Sequence, residues 1–116
     1  MAANGTTTGG GVRTGDAPHM IDNPAQNRFE LYLGDDLVGI LGYHGRGDDE
    51  SLGPGAQVGF MHTVIVEDHW RRGLAGRLVG YGLDTARERG WRVRPVCTYV
   101  QRFVNLNPQY ADLIDN

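Results

Sequence analysis

"HWRRGLAGRLVG" (His69–Gly80) sets three arginines and three glycines at the mouth of what its later residues mark as a helix. From Ala75 onward, small or apolar residues fall at Ala75, Leu78, Val79, Gly82, Leu83 and Ala86. That spacing predicts a one-faced helix running to about Arg89 and closed by Gly90. A basic, glycine-rich helix entrance has two readings. In the first it is an anion cradle. A helix N-terminus offers unpaired N–H donors and the positive end of the dipole. Small residues at Gly73, Ala75 and Gly76 let backbone approach a pyrophosphate, and Arg71, Arg72 and Arg77 match phosphate oxygens in bidentate geometry. In the second it is a glycine-tolerant turn feeding a solvated helix. Two familiar phosphate loops are excluded: no G-x-x-x-x-G-K-[ST] is present, and no G-x-G-x-x-G follows a first strand.

Working outward, "QVGFMHTVIV" (57–66) leads into this entrance as a strand, with Phe60, His62, Val64 and Val66 expected on one face. Upstream, "RFELYL" (28–33) alternates as a half-buried strand, Gly34-Asp35-Asp36 is turn chemistry, and "LVGILGYH" reads as the hairpin partner. "GRGDDESLGPGA" (45–56) is a loop by composition, and its Arg46-Gly47-Asp48 is read as a turn rather than an adhesion signal. Downstream, "WRVRPVC" returns as a strand. Thr98-Tyr99-Val100-Gln101 fits a capping box, so a second helix should begin directly after Cys97 and stop at Asn107-Pro108. Tyr110, Leu113 and Ile114 are expected to pin the tail to the core. The order is β-β-β-α-β-α, an antiparallel meander followed by a β-α-β crossover. This makes the fold class α+β.

Residues 1–20 are Gly/Thr-rich with almost no large apolar side chains, and are expected to be a disordered tail; residues 21–116 form one domain. No apolar run approaches a membrane span, and no secretion signal is visible, so a chance sequon at Asn4-Gly5-Thr6 is set aside and a cytoplasmic location is expected. The lone Cys97 excludes an internal disulfide and fits a reducing compartment. The net charge is −3, which argues against nucleic-acid binding, yet eight of eleven arginines fall between residues 66 and 107. A compact anionic ligand suits that basic half better than a long polyanion.

Taken together, "DNPAQNRFEL" (22–31), "FMHTVIV" (60–66), "RGLAGRLV" (72–79), "PVCTYV" (95–100) and "NPQYADLI" (107–114) resemble the minimal, roughly hundred-residue branch of the GNAT N-acetyltransferase superfamily. Gly73 and Ala75 match the Gly-x-Gly/Ala part of its acetyl-CoA loop, Arg/Gln-x-x-Gly-x-Gly/Ala. Trp70 stands where Arg or Gln is usual, and Arg71 where a glycine often follows. The resemblance implies a GNAT-like fold and an acetyl-CoA-dependent N-acetyltransferase acting on an amine, a small molecule or a protein. Coenzyme A would be held by the backbone of Thr63 and Ile65 along its pantetheine arm. Its pyrophosphate would lie on Arg71, Arg72, Gly73, Leu74, Ala75, Gly76 and Arg77.

Two side chains carry candidate chemistry. His62 reads equally as a core histidine with a hydrogen-bond partner and as a general base for the incoming amine. Cys97 precedes a helix N-terminus, a setting that favours thiolate. The resemblance marks it as the reactive residue, an acetyl-cysteine nucleophile or an acid toward departing CoA. No further ligands stand at metal-binding spacing, so no metal site is expected. Tyr99 and Tyr110 are read as packing residues, and His44 and His69 as surface residues, with His19 in the tail. A CoA-binding module without turnover and a protein-interaction domain are the competing readings.

Overall fold

A five-stranded sheet, in the order β1-β2-β3-β4-β5, carries the molecule. Its strands are β1 (Pro18–Asn23), β2 (Arg28–Leu33), β3 (Asp36–Gly45), β4 (Gln57–Ile65) and β5 (Arg92–Pro95). The helices are α1 (Leu74–Arg89) and α2 (Thr98–Leu106), with short 3-10 segments at Pro24–Gln26 and Pro108–Leu113. The computed structural model describes residues 17–45, 52–66 and 73–115. The tail before Ala17, the Arg46-Gly47-Asp48 turn, and His69, Trp70, Arg71 and Arg72 lie outside the described residues. Strands β1 to β4 pair antiparallel, and β4 pairs β5 in parallel across the α1 crossover. The fold is α+β, as expected.

One strand was not expected. Pro18–Met20, assigned by composition to the tail, begin β1, which pairs along the whole of β2. Its sequence hides it, since "PHMIDN" has only two large apolar residues and opens on a proline. Proline is tolerated at the first residue of an edge strand. What holds β1 is long-range: the Asp22 carboxylate accepts from the Tyr43 hydroxyl at 2.7 Å and from Arg89 of α1 at 2.7 Å.

Helix α1 buries the face its spacing predicts, Ala75, Leu78, Val79, Gly82, Leu83 and Ala86, against the sheet. Gly82 lets it come close: a Cβ there would stand 2.9 Å from Leu41 Cδ2 and 3.1 Å from Phe29 Cε2. The helix ends at Gly90, whose φ of 74° is the left-handed conformation glycine adopts without steric cost, its N–H returning to Ala86 and Arg87. Beneath α1, Phe29 is the hub of an aromatic cluster with Tyr43, Phe60, Tyr81 and Trp91, at centroid distances of 4.7 to 6.5 Å.

The outer edge of the sheet is closed by the tail rather than by another strand. Asp115 N–H donates to Val93 O at 2.8 Å, and Ile114 bridges Val93. Pro95 has no N–H to offer, and its carbonyl accepts from the Gln101 side chain at 2.8 Å. The far face of the sheet is uncovered at Ile21, Leu37, Val64 and Met61, each 39–52% exposed. Among the described residues, no helix is long and apolar enough to cross a membrane.

Candidate active site

The site is built by a break in strand regularity. On β4, Phe60 faces Tyr43 and His62 faces Gly42, so Met61 is an extra residue between adjacent partners of β3. Such a bulge reverses the alternation of every side chain that follows. Phe60 is fully buried in the core under α1, but His62 is exposed on the opposite face, beside Val64. The expectation that Phe60 and His62 share a face is therefore wrong, and the bulge is the reason. His62 is not a core histidine either. The same shift turns Thr63 and Ile65 toward α1, because Thr63 stands opposite Leu41 and Ile65 opposite Gly39.

Beyond the bulge β4 also loses a neighbour. It pairs with β5 only over Gln57–Phe60, and the last bond across is Cys97 N–H to Phe60 O at 2.9 Å. From Met61 to Ile65, β4 has β3 on one side and, among the described residues, no strand on the other. Strand backbone in that state has donors and acceptors to give to an extended ligand.

Cys97 stands where the two strands part. It is half-buried, and its sulfur lies 3.5 Å from Thr63 Oγ1. It is also the N-cap of α2: its carbonyl accepts from Gln101 N–H at 3.1 Å, and its side chain makes no capping bond. The capping box expected at Thr98 is not formed. The helix begins directly after Cys97, as expected, but Cys97 rather than Thr98 is its N-cap, and Gln101 instead reaches back to the carbonyls of Pro95 and Val96. The Gln101 amide thereby satisfies carbonyls at the end of β5.

The entrance to α1 is the third component. Gly73 is the N-cap, with φ 71° and ψ 15°, a left-handed conformation that raises the energy of side-chain-bearing residues. No acid sits in the first turn, and among the described residues no side chain caps it. The N–H groups of Leu74, Ala75 and Gly76 therefore lack intrahelical acceptors, and Arg77 is exposed beside them. A Cβ on Gly76 would stand 3.7 Å from the Tyr99 hydroxyl and 3.5 Å from Phe103, so side chains of α2 reach the first turn of α1. Burial pushes the Tyr99 hydroxyl pKa up. Tyr99, read from sequence as packing, thus borders the entrance of α1. Tyr110 is a packing residue, with its hydroxyl on Asp84 at 2.8 Å and its ring against Phe103.

The basic half of the sequence divides by role. Arg87 holds Asp112 at 2.8 Å, Arg89 holds Asp22, and Arg92 donates to the Asp112 and Ile114 carbonyls. These three staple the tail and the edge strand. On the uncovered face, Glu30 accepts from Arg28 at 2.7 Å, Asn23 at 3.0 Å and Tyr32 at 3.0 Å. Burial works to raise its pKa, but the hydrogen bonds from Arg28, Asn23 and Tyr32 outweigh it and hold the carboxyl below its ordinary value. His19, expected in the tail, stacks on Tyr32 at 5.4 Å. Among the described residues, no group of three or more metal-ligating side chains converges.

The site brings Thr63 and Cys97 together at the N-terminus of α2, where β4 parts from β5, and side chains of α2 reach the first turn of α1. His62 is on the other face of the same strand. Sequence reasoning missed Glu30 and its donors, because a lone acid in a strand pattern reads as solvent-facing.

No curated protein matches the chain. A solved structure of a ribosomal-protein-alanine N-acetyltransferase from Brucella melitensis biovar Abortus 2308 is similar at 18% identity and a TM-score of 0.49. The match covers 77% of this chain and 63% of that one. The model of the family described as GCN5-related N-acetyl-transferase matches residues 28–113, which run from the start of β2 through the second 3-10 segment. The chain belongs to the GCN5-related N-acetyl-transferase family.

Proposed function

We propose that this protein is an acetyl-CoA-dependent N-acetyltransferase, with the cofactor in the gap where β4 and β5 part. The observation that carries this reading is that an unpaired stretch of β4, the N-terminus of α2 and the thiol of Cys97 meet where the two strands part. The residues suit coenzyme A. An acid-free helix N-terminus stabilises an anion by about 0.3–1 kcal/mol at an exposed site, and Gly73 to Arg77 provide one. Arg71 and Arg72 belong to the same proposed cradle. The β4 backbone near Thr63 and Ile65 would bond the pantetheine amides.

In the reaction, the amine nitrogen attacks the thioester carbonyl, the C–S bond breaks, and CoA leaves as a thiolate that takes up a proton. His62, exposed on the far face of β4, would accept the proton from an amine approaching that side. Cys97 would either carry the acetyl group between the two substrates or protonate the departing thiolate. A reducing, cytoplasmic setting would keep that thiol free.

The test is intact-protein mass spectrometry after incubation with acetyl-CoA, beside a thermal shift with CoA and a panel of amine acceptors. The expected results are a rise in Tm with CoA and consumption of thioester with at least one amine. An acetyl adduct on Cys97 assigns it the carrier role; turnover without one, if lost in Cys97→Ala, assigns it the acid role. A thermal shift without turnover would replace the enzyme with a CoA-binding module. No shift at all would sink the cradle.

A further inference from the structure

We infer that the Thr63 hydroxyl is the positioning group for Cys97, holding its sulfur at the point where β4 and β5 separate. The inference rests on the reading of that gap as the reaction site, and concerns a side chain for which only a backbone role was expected. Three observations carry it. The sulfur lies 3.5 Å from Thr63 Oγ1, a contact joining residues 34 apart in sequence. The backbone of Cys97 is separately fixed by its N–H on Phe60 O at 2.9 Å. The sulfur takes no part in capping α2.

The Met61 bulge connects these facts. Phe60 lies just before it and anchors the Cys97 backbone; Thr63 lies just after it and meets the Cys97 side chain. Without the extra residue, Thr63 would point to the uncovered face and the thiol would have no hydroxyl beside it. A threonine suits the task because its branched Cβ is stiff at χ1, so its hydroxyl is a nearly fixed point. Cysteine has a single heavy-atom rotor, and one hydrogen bond from that point selects its rotamer. Either atom can donate while the sulfur is a thiol, but toward a thiolate only the hydroxyl can, and the bond then strengthens with the charge.

Because the chain holds only one cysteine, thiol chemistry reports on this site alone. The experiment measures the rate of iodoacetamide alkylation at fixed pH for the full chain and for Thr63→Val and Thr63→Ser, with Tm alongside. Valine keeps the branched shape without the hydroxyl, and serine keeps the hydroxyl. Thr63→Val should react about fivefold more slowly, the worth of one ordinary hydrogen bond, and Thr63→Ser should restore most of the rate. In acetyl transfer, Thr63→Val should lower kcat and leave KM for acetyl-CoA unchanged. Parental alkylation in Thr63→Val, or equal slowing in both variants, would overturn the inference. So would a KM effect without a kcat effect. Alkylation needs no acetyl-CoA, so a failure of acetyl transfer in the parent protein would remove the proposed function while leaving the Thr63 contact separately measured.

Discussion

The imidazole of His62 rests on Gly42 of the neighbouring strand: a Cβ on Gly42 would stand 2.5 Å from its Cε1 and 2.7 Å from its Nε2. Gly42 is buried and opposite His62 in the β3–β4 register, so the glycine makes the seat on which the exposed ring lies. Gly42→Ala should therefore displace the ring, which is free to turn into solvent, with little change in Tm. If His62 acts as base, turnover should fall about tenfold, within the range a positioned base contributes, while CoA affinity holds. Steady-state kinetics beside CoA titration checks this, and unaltered kcat would remove His62 from the mechanism.

Cys97→Ala should cut acetyl transfer at least tenfold and leave CoA affinity nearly unchanged, since its backbone bond to Phe60 does not need the sulfur. Calorimetric titration with CoA and an amine-acetylation assay read the two separately. Full activity in this variant would make Cys97 a packing residue.

At the α1 entrance, Gly73→Val should abolish CoA binding. Among the described residues, chain neighbours aside, an added Cβ meets no heavy atom within 4 Å, so the strain lies in its φ of 71°, costing about 1–2 kcal/mol. Gly73→Asn, which tolerates that conformation better, should retain more binding and more stability. Equal affinity in Gly73→Val and the parent would refute the cradle.

Loss of the Asp22 carboxylate leaves the buried Tyr43 hydroxyl and Arg89 without their acceptor. Burial, then the bond to Asp22, already drives the Tyr43 hydroxyl pKa far up, so it stays a donor in the folded state. Asp22→Ala should cost about 1–3 kcal/mol in urea unfolding and raise amide exchange along β1 first.

For Glu30 the linkage has a definite sign. Its folded pKa lies below the ordinary 4.5, so its bonds stabilise the fold above that value and fade as pH falls through the lowered one. Tm should drop on acidification below about pH 4.5 in the parent and less steeply in Glu30→Gln, which at pH 7 should be about 1 kcal/mol less stable. Parallel Tm–pH curves would exclude Glu30 as a source of acid sensitivity.

Much of this architecture is local and was legible in the chain. The α1 face from Ala75 to Ala86 and its Gly90 stop follow from helical periodicity and capping, and β2, β3 and β4 from alternation and turn residues. The anion-ready helix entrance is equally local, since N–H groups lose their acceptors at any helix start. Tertiary structure decided what depends on partners distant in sequence. Strand β1 exists because β2, Tyr43 and Arg89 hold it, against weak propensity of its own. The Met61 bulge exists only relative to β3. A one-residue slip inverts a strand's faces, so that pairing sent His62 to the uncovered face and Thr63 to Cys97. Residue types named the chemistry, and register between strands chose which side chains meet.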